Sequence, residues 1–245
     1  MNVSDGIVVF DLETTGVDVE TDRIVTAYIG LLDQHGRVVA GREFMVKPDG
    51  YIVPDEATAV HGITTEVALA EGLDGAYVVQ EIAEFIMEWC RDKGMPLVGH
   101  NLSYDLTLLD REIKRYHPTR SVRKLLRGVT VADTMVLDKH YDQYRKGKRT
   151  LMATAEVYGV ELSEDEAHGA QADAIASGRI FLKMATNPAI QYSPASRFMI
   201  DQAKWKKEQA AGLERYFRTK ADPLQPDAIV NGEWPFQARP EEGTP

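Results

Sequence analysis

The run Ile7-Val8-Val9-Phe10-Asp11-Leu12-Glu13 constrains this chain more than any other stretch. Four consecutive β-branched or aromatic residues read as a buried strand. Thr14-Thr15-Gly16 follows, and this is the turn chemistry that ends a strand. Side chains alternate along a strand, so Asp11 and Glu13 point to the same side of the sheet. Two carboxylates so placed repel each other unless a cation lies between them. The usual one is a hard divalent ion with oxygen ligands, such as Mg²⁺ or Mn²⁺. On this stretch alone, an acidic strand end lying in solvent is the simpler account.

The next segments build a sheet around that strand. Arg23 to Leu32 and Val38 to Val46 read as two further strands, joined through the short turn Asp33-Gln34-His35-Gly36. The short link makes them a hairpin, and the first three strands an antiparallel meander. From there the pattern changes to alternation. A short helix over 54–60 precedes His61-Gly62-Ile63-Thr64, and a longer helix spans 74–91 with Gly94 as its stop. Leu97-Val98-Gly99 reads as a buried strand leading into His100-Asn101-Leu102-Ser103-Tyr104-Asp105 and a helix with Leu106, Leu109 and Ile113 on one face. Val129 to Ala132 is a fifth strand, with Asp133 a cap for the segment starting at Thr134. Helices over 151–158 and through Met184 flank an acidic stretch, 161–166. The expected fold is α/β, a mixed five-stranded sheet of meander plus parallel strands, flanked by helices. Residues 1–186 form the domain. Residues 187–245 form an appendage: a long helix over 195–219, a Pro-rich tail and a hairpin-type Asn231-Gly232 signal.

Composition narrows the function classes. At 44% hydrophobic and 27% charged, the chain has the make-up of a globular protein. It has no run of about 18 apolar residues for a membrane span and no basic-then-apolar leader at its N-terminus. Its single cysteine, Cys90, lies in an apolar helical context; a packed thiol in a reducing cytoplasm fits. The net charge of −10 runs against nucleic-acid binding, whose footprint is usually basic. Bound metal ions reverse the local sign at a carboxylate cluster, and a local basic patch can hold phosphates while the rest stays acidic.

Three residues complete the first acidic pair. Asp105 lies one turn into a helix that follows a strand end, Asp173 lies in the last helix of the domain, and His168 precedes it by five residues. On one helix that spacing would set the two about 140° apart. His168 therefore shares a site with Asp173 only from the loop before the helix, where Gly169 supports its placement. Four carboxylates from three segments, each at an element end, fit a two-metal site for phosphoryl displacement. The histidine is then the natural general base.

The motifs Phe-Asp-Leu-Glu-Thr-Thr-Gly (10–16), His-Asn-x-x-x-Asp (100–105) and His-Gly-Ala-x-x-Asp-Ala (168–174) occur in this order. Together they resemble the three exonuclease motifs of the DEDDh superfamily, and within it the proofreading epsilon subunits of bacterial DNA polymerase III. The likeness covers roughly 5–186, with His61-Gly62-Ile63-Thr64 and Gly147-Lys148-Arg149 as lesser agreements. It implies an RNase H-like fold and 3′→5′ removal of nucleoside monophosphates in replication or repair. It also implies two Mg²⁺ or Mn²⁺ ions on Asp11, Glu13, Asp105 and Asp173, with His168 activating water. Thr14, Thr15 and Gly16 would hold the 3′-terminal nucleotide, with His61 and Asn101 beside it. DNA 3′ ends are the implied partner, and a DNA polymerase is a candidate one. The tail departs from the pattern, for the epsilon clamp-binding motif is not found after the domain.

Plainer readings stand beside these. Asn101 can simply cap its helix, and His61 can be a turn histidine. His100 reads as structural; His35, His117 and His140 show nothing beyond surface placement. The cluster Arg145 to Arg149 is either a solvated loop or a phosphate track. An RNA-directed exonuclease carries the same motifs, since 2′-OH recognition depends on pocket shape. A non-catalytic nucleic-acid-binding module would have no use for such like-charge clustering.

Overall fold

The computed structural model describes residues 3–163, 168–221 and 223–240. Part of the acidic stretch, 164–166, lies outside them. Five strands, β1 (Ile7–Thr14), β2 (Ile24–Leu32), β3 (Val38–Met45), β4 (Leu97–Gly99) and β5 (Val131–Asp133), form one sheet in the order β3-β2-β1-β4-β5. The pairs β1/β2 and β2/β3 are antiparallel, and β1/β4 and β4/β5 are parallel. This is the expected mixed sheet, a meander extended by parallel strands.

The helices are α1 (Asp55–His61), α2 (Thr65–Glu71), α3 (Gly75–Phe85), α4 (Leu102–Tyr116), α5 (Val122–Leu125), α6 (Thr134–Tyr141), α7 (Leu151–Tyr158), α8 (Ala170–Met184), α9 (Pro188–Gln191) and α10 (Ala195–Thr219). The α3 helix continues as a π-helical segment, Ile86–Asp92, which buries Cys90. Among the described residues, no helix is long and apolar enough to cross a membrane.

Alternation along β1 divides the core. Val8, Phe10 and Leu12 face the layer built by α3 and α4, while Ile7 and Val9 face α8 with Ala170, Ala174, Ile180 and Phe181. The α8 helix comes close because of Gly178: a Cβ there would lie 2.7 Å from Leu32 Cδ1 and would collide with Val9. Burying both faces of β1 removes all four of its first residues from water, as the unbroken apolar run requires.

The C-terminal segment is laid along the same framework. Phe198 and Gln202 of α10 are fully buried. The Gln202 amide acts like one residue of a further strand on the edge of β5: its Oε1 accepts from Asp133 N at 2.9 Å, and its Nε2 donates to the Val131 carbonyl at 2.9 Å. The Asn231-Gly232 signal does not make a hairpin. Asn231 Oδ1 accepts from Glu233 N in a local turn, and Val230 N donates to Glu214 of α10. The helix, rather than a partner strand, takes up this segment's backbone.

Candidate active site

The acids meet at the carboxyl ends of β1 and β4, the end of a parallel sheet where ligands generally bind. Asp11 and Glu13 leave β1 on the α8 face, behind Ile7 and Val9. Asp173, in the first turn of α8, meets them there. One carboxylate oxygen from each of the three lies within 4.8 Å of the others. Asp105 arrives from the opposite layer, in the first turn of α4, and is 4% exposed. Its Oδ1 accepts from Leu12 N at 3.2 Å. It lies outside the 4.8 Å set, yet is near enough to destabilise the charge on Asp11. Both helices point their N-termini at the cluster, where a helix dipole favours negative charge.

Burial is the chief cause that raises the pKa of all four. Asp11 goes well up, helped by repulsion from Asp105, Asp173 and Glu13. Glu13 is pushed up to about 8 by burial, with Asp173 adding to it. Asp105 also goes well up, against the pull of the backbone N–H groups of Asp105 and Leu12. Asp173 rises by burial, offset by the His168 imidazole and by a hydrogen bond from the His168 backbone N–H. The Oδ1 of Asp173 is buried and has no hydrogen-bond partner among the described residues. An orphaned carboxylate oxygen among two further carboxylates fits a divalent cation with oxygen ligands.

These shifts set a pH dependence for the metal-free protein. Between about pH 4.5, where an unfolded glutamate titrates, and about 8, the folded cluster holds protons that the unfolded chain has lost. Stability therefore falls as pH rises through that window, and its loss is complete above the folded value. At ~1.4 kcal/mol per pKa unit over the roughly 3 units between pH 5 and 8, and ~2–4 °C per kcal/mol, the melting temperature should drop by roughly 8–17 °C between pH 5 and 8.5. Mg²⁺ or Mn²⁺ should restore more of it at pH 8.5 than at pH 5. A melt that rises with pH under chelation would contradict this electrostatic account.

His168 stands in the turn before α8, exposed, with its backbone at φ 68°. It is in the loop rather than on the helix, as its spacing from Asp173 demands. The Thr14-Thr15-Gly16 turn is held from within. The hydroxyls of Thr14 and Tyr104 are 2.9 Å apart and lie 2.7 and 2.5 Å from the Gly16 carbonyl. Thr15 Oγ1 donates to Asp22 at 2.8 Å. A Cβ at Gly16 would sit 2.6 Å from an Asp22 carboxylate oxygen, so a larger residue there would displace the Asp22 side chain that holds the turn. Tyr104, an unassigned position inside the second motif, is thus a support that sequence reasoning missed; its hydroxyl lies three residues from Asn101 and could be found only from the fold.

The flanking residues divide. His61 Nδ1 accepts from Ile63 N at 3.2 Å, a turn contact, while its Nε2 is buried with no hydrogen-bond partner among the described residues. Asn101 stands at the N-terminus of α4 but makes no side-chain cap. It adopts a left-handed backbone at φ 60°, which asparagine tolerates, and its N–H donates to the buried Asp133 at 3.0 Å. Asp133 also caps α6 at Met135 and Val136. His100 is structural: its ring nitrogens lie 2.8 Å from Thr134 Oγ1 and 2.9 Å from the Arg149 carbonyl. Arg145 and Arg149 are no free phosphate track. Both close on the fully buried Asp138, at 2.5 and 2.6 Å. His140 is more than a surface residue, for it stacks on Trp205 of α10 at 3.7 Å. A groove of about 600 Å³ between α10 and residues 230–238 is lined by none of Asp11, Glu13, Asp105 and Asp173.

Residues 8–181 match the RNase T family model, described as an exonuclease. The DNA polymerase III subunit epsilon of Salmonella typhimurium is 32% identical over 185 residues, covering 72% of this chain and 70% of that protein. That of Buchnera aphidicola is 27% identical over 193 residues, covering 76% and 77%. Among solved structures, E. coli exonuclease I in complex with a dT13 oligonucleotide superposes with a TM-score of 0.63 at 20% identity. It shares the fold over 76% of this chain, which spans 42% of that one.

Proposed function

The chain belongs to the RNase T exonuclease family, and from that premise we propose that it removes nucleoside monophosphates from the 3′ ends of single-stranded or frayed DNA with two Mg²⁺ or Mn²⁺ ions. As an enzyme it is a 3′→5′ exonuclease with an RNase H-like sheet. The observation that carries the metal-dependent reading is the triad Asp11, Glu13 and Asp173 around an unpartnered buried carboxylate oxygen. With Asp105 behind it, the triad would hold the ions. When bound, they supply charge stabilisation to the attacking and leaving oxygens of a phosphodiester.

The protein's own groups account for the rest. His168, exposed at the rim and tied through its backbone to Asp173, accepts the proton of the attacking water. The Thr14-Thr15-Gly16 turn, pinned by Tyr104 and Asp22, presents a rigid edge for the 3′-terminal nucleotide, with His61 and Asn101 beside it. Likeness to polymerase subunits supports proofreading or repair in the cytoplasm, with a DNA polymerase as partner.

The test is degradation of matched 3′-labelled DNA and RNA oligomers, single- and double-stranded, with Mg²⁺ and with chelator. Mononucleotides released from DNA only with metal are expected. Faster loss of RNA would move the assignment to an exoribonuclease, and binding without hydrolysis to a non-catalytic module. His168→Ala should lower turnover by about 10²–10⁴-fold, the usual worth of a general base, with metal binding largely kept. Wild-type turnover in that variant would remove His168 from the chemistry.

A further inference from the structure

The sequence places its basic cluster at 145–149, but the two arginines there are spent on Asp138. Positive charge is gathered instead around Asn101. Lys206 of α10 donates to Asn101 Oδ1 at 3.4 Å. Lys139, in the last turn of α6, is half-buried nearby; burial first and Lys206 second lower its pKa, while the buried Asp133 and Asp138 act to raise it. Two ammonium groups that repel each other are an unfavourable arrangement; the buried carboxylates of Asp133 and Asp138 offset it at Lys139, while no acid pairs with Lys206 among the described residues. A long hydrogen bond to a neutral amide does little to offset it, and it leaves Lys206 with donors to spare. The arrangement suits an anion, and Asn101 opens the helix whose first turn carries Asp105.

Lys206 does not reach this place by chance of a mobile side chain. The helix beneath it is held on three successive turns. Gln202 bridges Val131 and Asp133 on the β5 edge, Trp205 stacks on His140, and Gln209 Nε2 donates to the Val136 carbonyl at 3.0 Å. Lys204, two residues away, points to solvent, paired with Glu208.

We propose that Lys206, backed by Lys139, binds a backbone phosphate of the substrate strand beside Asn101, so that the C-terminal helix forms one wall of the substrate site. This rests on the exonuclease reading above. The ligand class is a phosphodiester strand, held by charge and not by base identity.

The experiment compares full-length wild type with Lys206→Ala, Lys206→Arg and Lys204→Ala. It measures kcat and KM on single-stranded oligodeoxynucleotide with Mg²⁺ over a range of NaCl. It also measures Kd by anisotropy for each substitution in an Asp11→Ala background. Lys206→Ala should raise KM and Kd several-fold with kcat nearly kept, and flatten the log Kd against log salt slope by about 0.7, the share of one phosphate on a single strand. Lys206→Arg should restore most of both, and Lys204→Ala should change neither. A Lys206→Ala protein with wild-type KM and salt slope overturns the proposal, as does an equal loss in Lys204→Ala. A wild-type protein that neither binds nor degrades the strand overturns the exonuclease-on-DNA reading and this inference with it; normal wild-type turnover with unaffected Lys206→Ala overturns this inference alone.

Discussion

Replacing Asp11 by alanine should abolish metal-dependent nucleotide release while making the metal-free protein more stable. Asp11 is the acid that all three others repel, and burial already holds its carboxyl well above the ordinary range. Its loss removes one of three oxygens gathered within 4.8 Å. If the cluster supplies the several kcal/mol that metal-ion stabilisation is worth, turnover falls by about 10³–10⁵-fold. The same change relieves repulsion on Glu13 and Asp173, so the melt in chelator at pH 8 should rise and its response to Mg²⁺ should shrink. Asp173→Ala should behave alike. A normally active Asp11→Ala protein with wild-type metal dependence would end the two-metal reading.

Asp110→Ala should cost more stability than any surface change. Asp110 is 2% exposed, on the α4 helix that carries Asp105. Its carboxylate forks onto Arg239, with Oδ2 to Nε at 2.7 Å and Oδ1 to Nη2 at 3.0 Å, and accepts from Val122 N at 2.9 Å. Arg111, also buried, donates to the Gln237 and Ala238 carbonyls at 3.0 Å each. Residues 237–239 are thereby clasped to α4. Removing Asp110 leaves the Arg239 guanidinium buried without its counter-charge, which typically costs about 3–5 kcal/mol. For a chain of this size that is a fall in melting temperature of roughly 10 °C. The acids of the site are untouched, so turnover at low temperature should persist. A melt within about a degree of wild type would show that the clasp contributes nothing to the folded state.

How much of this was legible before folding depends on the range of the interaction. Strand alternation put Asp11 and Glu13 on one side, because two residues along a strand share a face by backbone geometry alone. The loop position of His168 followed from helical pitch and Gly169. The meander of the first three strands followed from turn lengths, and the presence of parallel strands beyond it from the change to alternation. The capping role of Asp133 was visible in its place ahead of Thr134. All of these act within a few residues, so the local chain contains their cause.

The rest was decided by what packs on what. Alternation could not say which layer Asp11 would face. The absence of a side chain at Gly178 lets α8 approach and bring Asp173 to the same face, while Asp105 comes over the strand end from the other layer. The basic loop looked free until Asp138, buried by α6, drew both arginines inward. Asn231-Gly232 carries a hairpin signal that lost to α10, whose Glu214 takes the Val230 N–H. Lys206 has no local mark at all, since its neighbour Asn101 is 105 residues away. A charge's role depends on which opposite or like charge the fold sets against it, and that is a property of packed elements, not of spacing along the chain.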